Sequence, residues 1–322
     1  MNRYDVVALG ELLIDFTEGG VSPQGNPVLE ANPGGAPCNV LSMLGNLGHR
    51  TAFIGKVGAD MFGAQLEQAI LEVGIDTIGL KKDPTVHTTL AFVHTQPDGD
   101  REFSFYRNPG ADMMLSPEDL NEDLIRNCRI FHFGTLSMTH PSCREATKRA
   151  LDVAKEAGAL ISFDPNLREP LWNSLEEAKE QVDYGLRRCQ ILKISDNEIQ
   201  WFTNESDYDA GICKLQEEYQ IPLILLSMGK EGSRAYTLKQ RAERPGIIRE
   251  NTIETTGAGD TFCACILHGI LSRGFQDYSK EELEEMLAFA NGAASIITTR
   301  KGALRVMPTK QEIEETLAAH KK

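Results

Sequence analysis

Short apolar runs alternate with amphipathic helical segments along most of this 322-residue chain. The first run, residues 6–10, contains no polar side chain and ends at a glycine, as a strand buried on both faces does. From residue 129 onward the order is regular, with predicted strands at 129–133, 159–163, 190–194 and 222–227 and predicted helices at 142–157, 175–188 and 208–219. Because a helix separates each strand from the next, the order predicts a doubly wound, mostly parallel α/β sheet.

The middle of the chain breaks this alternation. Strand-like segments 88–95 and 102–107 flank residues 96–100, whose sequence Gln-Pro-Asp-Gly-Asp is a strong turn signal. They predict a small antiparallel sheet inserted into the α/β pattern. The remaining segments predict a strand at 51–57, a hairpin within 233–253, and helices at 39–47, 60–73, 260–272, 280–299 and 309–320.

Charge and composition exclude several classes of protein. The chain carries 33 basic and 47 acidic residues, a formal charge of −14, so we expect neither nucleic acid nor a membrane surface as a partner. No apolar run approaches the roughly 20 residues of a membrane span, and residues 1–5 do not resemble a secretory signal. The seven scattered cysteines lack the paired spacing of a zinc site. These features predict a cytoplasmic protein with reduced thiols.

The segment 254–262 carries the most chemistry. Gly257, Ala258 and Gly259 form a glycine-rich turn that leads directly into an apolar helix, and Asp260 lies in the first helical turn. Backbone N–H groups at such a helix start bind anions, and a carboxylate beside a bound phosphate is suited to accept a proton. Taken alone, Asp260 is equally typical of an ordinary helix N terminus. The segment matches neither the Walker signature nor the dinucleotide fingerprint.

A second glycine-rich segment lies near the N terminus, at residues 34–40. Gly34 and Gly35 allow the backbone to approach a ligand closely, and Asn39 offers a donor and an acceptor to hydroxyl groups. Taken alone, this segment also fits a turn that begins a helix.

The two segments together resemble the two signatures of the ribokinase-like (PfkB) carbohydrate kinases, in the expected order and about 220 residues apart. The resemblance extends over residues 10–15 and 299–303 and so covers essentially the whole chain. It implies a single kinase domain over 1–322, with an antiparallel β lid formed by about 11–34 and 86–110. It also implies that the protein uses ATP and Mg²⁺.

The resemblance further implies roles for individual residues. Asp260 is the catalytic base, and the amides of Gly257, Ala258 and Gly259 form an anion hole. The implied sugar ligands are Asp15, Gly34, Gly35 and Asn39, and the implied nucleotide ligands are Ser227, Gly229, Gly232 and Asn291.

Two positions depart from the family pattern. Many relatives have Asn-x-x-Glu where this chain has Ser195-x-x-Glu198, so we expect Ser195 or Lys193 to take the asparagine's role toward phosphate. Glu198 can still position water bound to magnesium. Glu254 stands where many members have an aspartate linked to a monovalent-cation site, which leaves dependence on potassium (K⁺) open.

Two further segments indicate the sugar. Residues 103–115 resemble the lid strand and following loop of fructokinases, which predicts sugar contacts from Tyr106 and Arg107. Residues 163–172 resemble both fructokinases and 2-keto-3-deoxygluconate kinases, and Arg168 can approach the transferred phosphoryl group or the sugar. The chain is most similar to fructokinase, which implies phosphorylation of D-fructose, at the 6-hydroxyl, to fructose 6-phosphate.

Three alternatives stay open. A 2-keto-3-deoxygluconate kinase, or another PfkB sugar kinase, shares these loops. A noncatalytic sugar- or nucleotide-binding regulator keeps the glycines and loses the base, whereas Asp260 is present here. A dinucleotide-dependent oxidoreductase requires a glycine fingerprint after the first strand, where residues 11–15 read Glu-Leu-Leu-Ile-Asp. An exposed lid edge also predicts a homodimer formed through the lid.

Overall fold

The computed structural model describes residues 4–95 and 101–320. Within these residues the strands are β1 (Tyr4–Leu9), β2 (Leu13–Val21), β3 (Pro27–Gly34), β4 (Thr51–Gly58), β5 (Asp76–Asp83), β6 (Leu90–Thr95), β7 (Arg101–Tyr106), β8 (Cys128–Gly134), β9 (Leu160–Asp164), β10 (Ile191–Ser195), β11 (Leu223–Ser227), β12 (Ser233–Thr237) and β13 (Arg241–Arg244). The α-helices are α1 (Ala36–Asn46), α2 (Met61–Glu72), α3 (Glu122–Arg126), α4 (Pro141–Glu156), α5 (Leu175–Leu186), α6 (Asp196–Thr203), α7 (Tyr208–Tyr219), α8 (Ala258–Arg273), α9 (Lys280–Ile297) and α10 (Lys310–His320).

Nine strands form the main sheet in the order β13-β12-β11-β10-β9-β8-β1-β4-β5. Neighbours from β5 to β11 pair in parallel, and β12 and β13 add an antiparallel edge. This confirms the doubly wound, mostly parallel sheet. The sequence did not reveal β5, because this edge strand is largely polar and only partly buried and therefore lacks an apolar run.

Helices cover both faces of the main sheet. Side chains alternate along β1, so Val6 and Ala8 pack against α1, α2 and α8–α10, while Val7 and Leu9 pack against α3–α7. Two apolar cores result, one on each face. This explains why β1 reads as a continuous apolar run.

The second sheet, which we call the lid sheet, has the order β3-β2-β6-β7. The pair β6–β7 is antiparallel, as the segments 88–95 and 102–107 predict. The pair β2–β3 is also antiparallel, but β2 and β6 pair in parallel, with Asp15 opposite Ala91. Strand pairing across the sheet cannot be read from a local pattern. The turn predicted at 96–100 lies outside the described residues.

The lid sheet follows directly from the main sheet. Only residues 10–12 separate β1 from β2, so the lid extends from the carboxyl edge of the main sheet, where ligands of open α/β sheets bind. Phe16 stacks on Phe92 with ring centroids 4.9 Å apart and meets Phe62 of α2 edge-on, which anchors the lid to the body. No helix within residues 4–95 and 101–320 is long and apolar enough to cross a bilayer.

Candidate active site

A cleft of about 780 Å³ lies between the lid sheet and the carboxyl edge of the main sheet. Strands β2 and β3 form one wall, and the N-terminal ends of α1 and α8 form another. The predicted site residues that line it are Asp15, Gly34, Gly35, Asn39, Arg168, Lys193, Gly257, Gly259 and Asp260. Residues more than 200 positions apart in the chain therefore meet in one place.

Close backbone packing explains the glycines before α1. Gly35 has a φ of 127°, and a Cβ there would lie 2.4 Å from the carbonyl oxygen of Glu11. A Cβ on Gly34 would lie 2.1 Å from Asp15 Oδ2. Any larger residue would displace the Asp15 carboxylate or the start of α1.

Asn39 and Asp260 form the centre of the site. Asn39 Nδ2 donates a hydrogen bond of 2.8 Å to Asp260 Oδ2. Asn39 is buried, and its Oδ1 has no hydrogen-bond partner among the described residues. A buried acceptor without a partner marks a place where a ligand hydroxyl can donate.

Burial controls the proton affinity of Asp260. Removal from water raises the pKa of this carboxyl, while the hydrogen bond from Asn39 and the positive charges of Lys193 and Arg168 lower it without cancelling the effect. Asp260 therefore holds a proton more tightly than an exposed aspartate does. This is a property of an effective general base.

Helix α8 begins at a tight turn. Gly257 has a φ of 75°, and a Cβ there would lie 2.7 Å from Cβ of Ala303. The Ala258 N–H donates to Thr255 O at 3.2 Å within this turn. The first N–H groups of a helix have no acceptor within the helix, and the Ala258 N–H is already used, so the N–H groups of Gly259 and Asp260 are better placed to meet an anion.

Lys193 brings a positive charge to the same point. A Cβ on Gly259 would lie 3.3 Å from Lys193 Nζ, so this ammonium sits beside the first turn of α8. Ser195, the other residue considered for contact with phosphate, donates its hydroxyl to Glu198 Oε2 at 2.8 Å and caps α6. Lys193 lines the cleft, whereas Ser195 stabilises a helix end.

Glu198 organises the backbone around the site. Its Oε1 accepts from the Leu167 N–H at 2.8 Å, and its Oε2 accepts from the Ser195 N–H at 2.8 Å. These bonds fix the loop that carries Arg168. Among the described residues, no three His, Cys, Asp or Glu side chains are grouped to hold a metal ion. Because both of its oxygens accept backbone N–H groups, the Glu198 carboxylate fits an outer position, toward water bound to a divalent ion rather than the ion itself.

Asp15, on strand β2 of the lid sheet, lines the cleft. Burial raises the pKa of this carboxyl to about 7; the charge of Arg168 opposes the rise, and Glu254 and Asp260 add to it. Glu254 Oε1 accepts a hydrogen bond of 2.7 Å from the Gly302 N–H at the other side of the cleft. The cleft is therefore acidic around Asp15.

Two residues predicted to contact the sugar, Arg107 and Tyr106, do not line the cleft. Arg107 is buried outside the cleft, where its Nε donates to Asp112 at 2.8 Å and its Nη1 and Nη2 donate to Thr139 Oγ1 and Leu136 O. Its guanidinium connects the end of β7 to the loop after β8.

Tyr106 is 67% exposed and packs edge-on against Phe92. On β6 and β7, the described residues that line the cleft are Val93 and Phe105.

The predicted nucleotide ligands lie along the edge formed by β10, β11 and β12. The register places Ser195, Ser227 and Ser233 side by side. Asn291 accepts from Ser233 Oγ at 2.8 Å and donates to the carbonyls of Arg244 and Pro245, so its amide holds the strand end in place.

The turn after β11 belongs to the same edge. Gly229 and Gly232 have φ values of 52° and 108°, and a Cβ on Gly232 would lie 2.2 Å from Arg244 O. This turn requires glycine at its last position.

Comparisons with known proteins match this geometry. The family model described as pfkB family carbohydrate kinase matches residues 3–310. The chain belongs to this family. Among curated relatives of this PfkB kinase, the probable fructokinase-2 of Arabidopsis thaliana is 42% identical over 310 residues, covering 96% of this chain and 94% of that one.

Solved structures agree with the PfkB assignment. Fructokinase from Xylella fastidiosa with bound ATP has a TM-score of 0.89 and 30% identity, over 99% of each chain. Fructokinase from Vibrio cholerae with fructose, ADP and calcium bound has a TM-score of 0.86 and 28% identity, covering 98% of this chain and 99% of that one.

Two residues of this PfkB kinase site were not among those predicted from the sequence. Glu11 lines the cleft and accepts from the Ala36 N–H at 2.9 Å, so it fixes the start of α1. Asp164 pairs with Lys193 across β9 and β10. Their positions in the sequence could have revealed them, because Glu11 closely follows the apolar strand β1 and Asp164 is the last residue of the apolar strand β9.

Proposed function

We propose that this protein transfers the γ-phosphoryl group of ATP to the 6-hydroxyl of D-fructose, giving fructose 6-phosphate and ADP. The observation that carries the proposal is the buried pair of Asn39 and Asp260, in which the amide oxygen of Asn39 has no hydrogen-bond partner among the described residues. The 42% identity to a probable fructokinase over 96% of the chain supports fructose as the sugar.

The chemical step assigns a role to each group at the base of the cleft. Asp260 accepts the proton of the 6-hydroxyl as that oxygen bonds to the γ-phosphorus. The bond from the γ-phosphorus to the β–γ bridging oxygen breaks, and ADP leaves with that oxygen. The Gly259 and Asp260 amides and the Lys193 ammonium stabilise charge on the transferred group, and the proton passes from Asp260 to solvent after release.

Sugar binding rests on the other wall. Asp15 and Asn39 Oδ1 accept hydroxyl hydrogens, and Arg168 lies where it can neutralise the phosphoryl group. The lid, with Phe105 and Val93, covers the sugar and excludes water. Arg107 acts in this proposal as a support for the lid and not as a sugar ligand.

ATP and a divalent ion complete the site. We propose that ATP lies along the edge that contains Ser195, Ser227 and Asn291, with Mg²⁺ on its phosphates and Glu198 positioning the ion's water. Bound Mg²⁺ neutralises phosphate charge. Glu254 accepts a hydrogen bond from the Gly302 N–H. Turnover measured with and without K⁺ decides whether the protein depends on potassium.

Charge favours a neutral sugar over a sugar acid. Among the described residues that line the cleft, the cations are Arg168, Lys193 and Lys301. Lys193 pairs with Asp164, and Lys301 pairs with Glu30 at 2.6 Å. Arg168 is then the cation left for an anionic substrate, in a cleft that already contains Asp15 and Asp260. A keto-deoxy acid would bind there with its charge poorly compensated.

A panel of acceptors tests the proposal. ADP release is measured with fructose, ribose, 2-keto-3-deoxygluconate, adenosine and fructose 6-phosphate, and Asp260→Asn prepared in parallel controls for contaminating kinases. We expect fructose to give the largest kcat/KM and the wild type alone to give the signal. A strong preference for 2-keto-3-deoxygluconate would contradict fructose and leave phosphoryl transfer standing.

Three wider proposals accompany this function. We propose that residues 1–322 act as one kinase domain, with the lid in segments 11–34 and 86–110. The exposed apolar side chains Val21 and Val28 on lid strands support a homodimer formed through the lid. A cytoplasmic location is consistent with seven free thiols.

A further inference from the structure

Asp164 and Lys193 form a buried ion pair beside the first turn of α8. Lys193 Nζ lies 3.1 Å from Oδ2 and 3.2 Å from Oδ1 of Asp164, and the two side chains are 8% and 5% exposed. Strands β9 and β10 pair Phe163 with Leu192. The residue that follows on each strand, Asp164 on β9 and Lys193 on β10, therefore lies beside the other. A buried pair of this kind is weak evidence for added stability, because desolvation of both charges opposes their attraction.

Asp164 and Asp260 both attract the Lys193 ammonium. Burial lowers the pKa of Lys193, but Asp164, Glu198 and Asp260 together more than offset it, and the lysine stays charged. Its direct partner is Asp164, while Asp260 accepts from Asn39 instead. A direct pair between Lys193 and Asp260 would weaken the base, because an adjacent opposite charge lowers a carboxyl pKa by about 1–3 units.

We propose that Asp164 is a positioning residue, which holds the Lys193 ammonium beside Gly259 and keeps it from pairing directly with the base Asp260. The inference rests on the proposed phosphoryl transfer. In this arrangement the Lys193 ammonium stabilises negative charge on the phosphoryl group, while Asp260 keeps its affinity for the proton of the sugar hydroxyl.

The groups around Lys193 support this assignment. Besides Asp164 on β9, they are Glu198 on α6, Asp260 and Cys263 on α8 and His132 on β8. Burial and the charge of Lys193 lower the pKa of His132 to about 4, and burial raises the pKa of the Cys263 thiol, so both are neutral.

Glu198 and Asp260 differ in whether they can pair with Lys193. Both oxygens of Glu198 already accept backbone N–H groups. If Asp164 loses its charge, Asp260 is the carboxylate that the lysine reaches.

Asp164→Asn tests the inference through the pH profile of kcat, measured at saturating ATP and fructose. Its acid limb reports protonation of the base in the complex with substrates. We expect the limb to move down by about one pH unit and the plateau to fall at least tenfold, with KM for fructose changed less than about threefold. Circular dichroism and thermal melting establish that the variant is folded.

Asp83→Asn is the matched control. Asp83 is also buried and lies 3.8 Å from a lysine, Lys56, but it is outside the cleft. We expect this variant to lose stability without moving the acid limb. An unmoved limb in folded Asp164→Asn would overturn the inference.

Lys193→Met keeps the test decisive if Asp164→Asn does not fold. Without the ammonium, the acid limb should move up, and adding Asp164→Asn to this background should shift it no further, because the unpaired Asp164 is protonated. A limb that stays in place in Lys193→Met, or that moves down in the double variant, would overturn the inference.

The same experiment separates the two proposals. A wild type without ATP-dependent turnover on any sugar would overturn the proposed function and this inference with it. Normal wild-type turnover, with an acid limb that Asp164→Asn leaves in place, would overturn this inference alone.

Discussion

Replacing Asp15 by Asn should make the protein more stable and less able to bind fructose. The substitution keeps the size of the side chain and removes a charge from the acidic end of the cleft, where Asp260 and Glu254 raise the proton affinity of Asp15. The same charge that suits Asp15 to accept sugar hydroxyls opposes folding at neutral pH.

The size and sign follow from the pKa of Asp15, which burial raises from 3.8 to about 7. Because the folded protein binds this proton more tightly than the unfolded chain, ionisation favours unfolding. The destabilisation is absent below 3.8, grows as pH rises, and is complete above about 7. A shift of roughly three units corresponds to about 4 kcal/mol. Since Asp15 is only partly buried and lines the cleft, we expect about 1–3 kcal/mol.

Urea unfolding at about pH 8 and about pH 5 measures this difference. Asp15→Asn should raise the free energy of unfolding at the higher pH, and the gain should shrink at the lower pH. Asp83→Asn provides the opposite case, because hydrogen bonds from Thr85 and Val86 outweigh burial and lower the pKa of Asp83. That variant should be destabilised at the higher pH.

Binding measurements complete the prediction. Loss of charge-assisted hydrogen bonds to hydroxyls should weaken fructose about 10- to 100-fold in calorimetry, with ATP affinity changed less than about twofold. Asp15→Asn that is no more stable than wild type at about pH 8, alongside a destabilised Asp83→Asn, would refute the reasoning. So would an equal loss of both affinities.

Two further predictions concern the base and the lid. Asp260→Asn should lower turnover by about 10²–10⁴ with little change in ATP binding, because the proton acceptor is lost while its size is kept; near-normal turnover in a coupled ADP assay would contradict the base assignment. Light scattering should give the mass of a dimer, and Val28→Glu on the exposed face of the lid should yield a monomer, whereas a monomeric wild type would exclude pairing through the lid.

Much of the fold could be predicted because its signals are local. Predicted strands and helices from residue 129 to 227 match β8–β11 and α4, α5 and α7 to within a few residues. Two of the misses have physical causes: β5 is a polar edge strand, and Gly19 and Gly20 in β2 and Pro23 in the connection to β3 obscure the alternation.

The family resemblance, carried by two motifs in the expected order, implied which two segments contribute to the site. Glycine at 35 and 257 is required by positive φ and close packing, and such requirements leave a mark in the sequence. The family resemblance implies separate roles for Asn39 and Asp260, and the structure joins the two side chains by a direct hydrogen bond.

Only the tertiary structure decided which partner each charge meets. Arg107 looked free at the end of a strand, but Asp112 and Thr139 take up its guanidinium in the interior. Lys193 looked like one of two equivalent phosphate contacts until its bond to Asp164 and the use of Ser195 as a helix cap separated them. Periodicity and glycine requirements are properties of neighbouring residues, whereas the fate of a buried charge depends on side chains brought together across strands, and no local pattern encodes that.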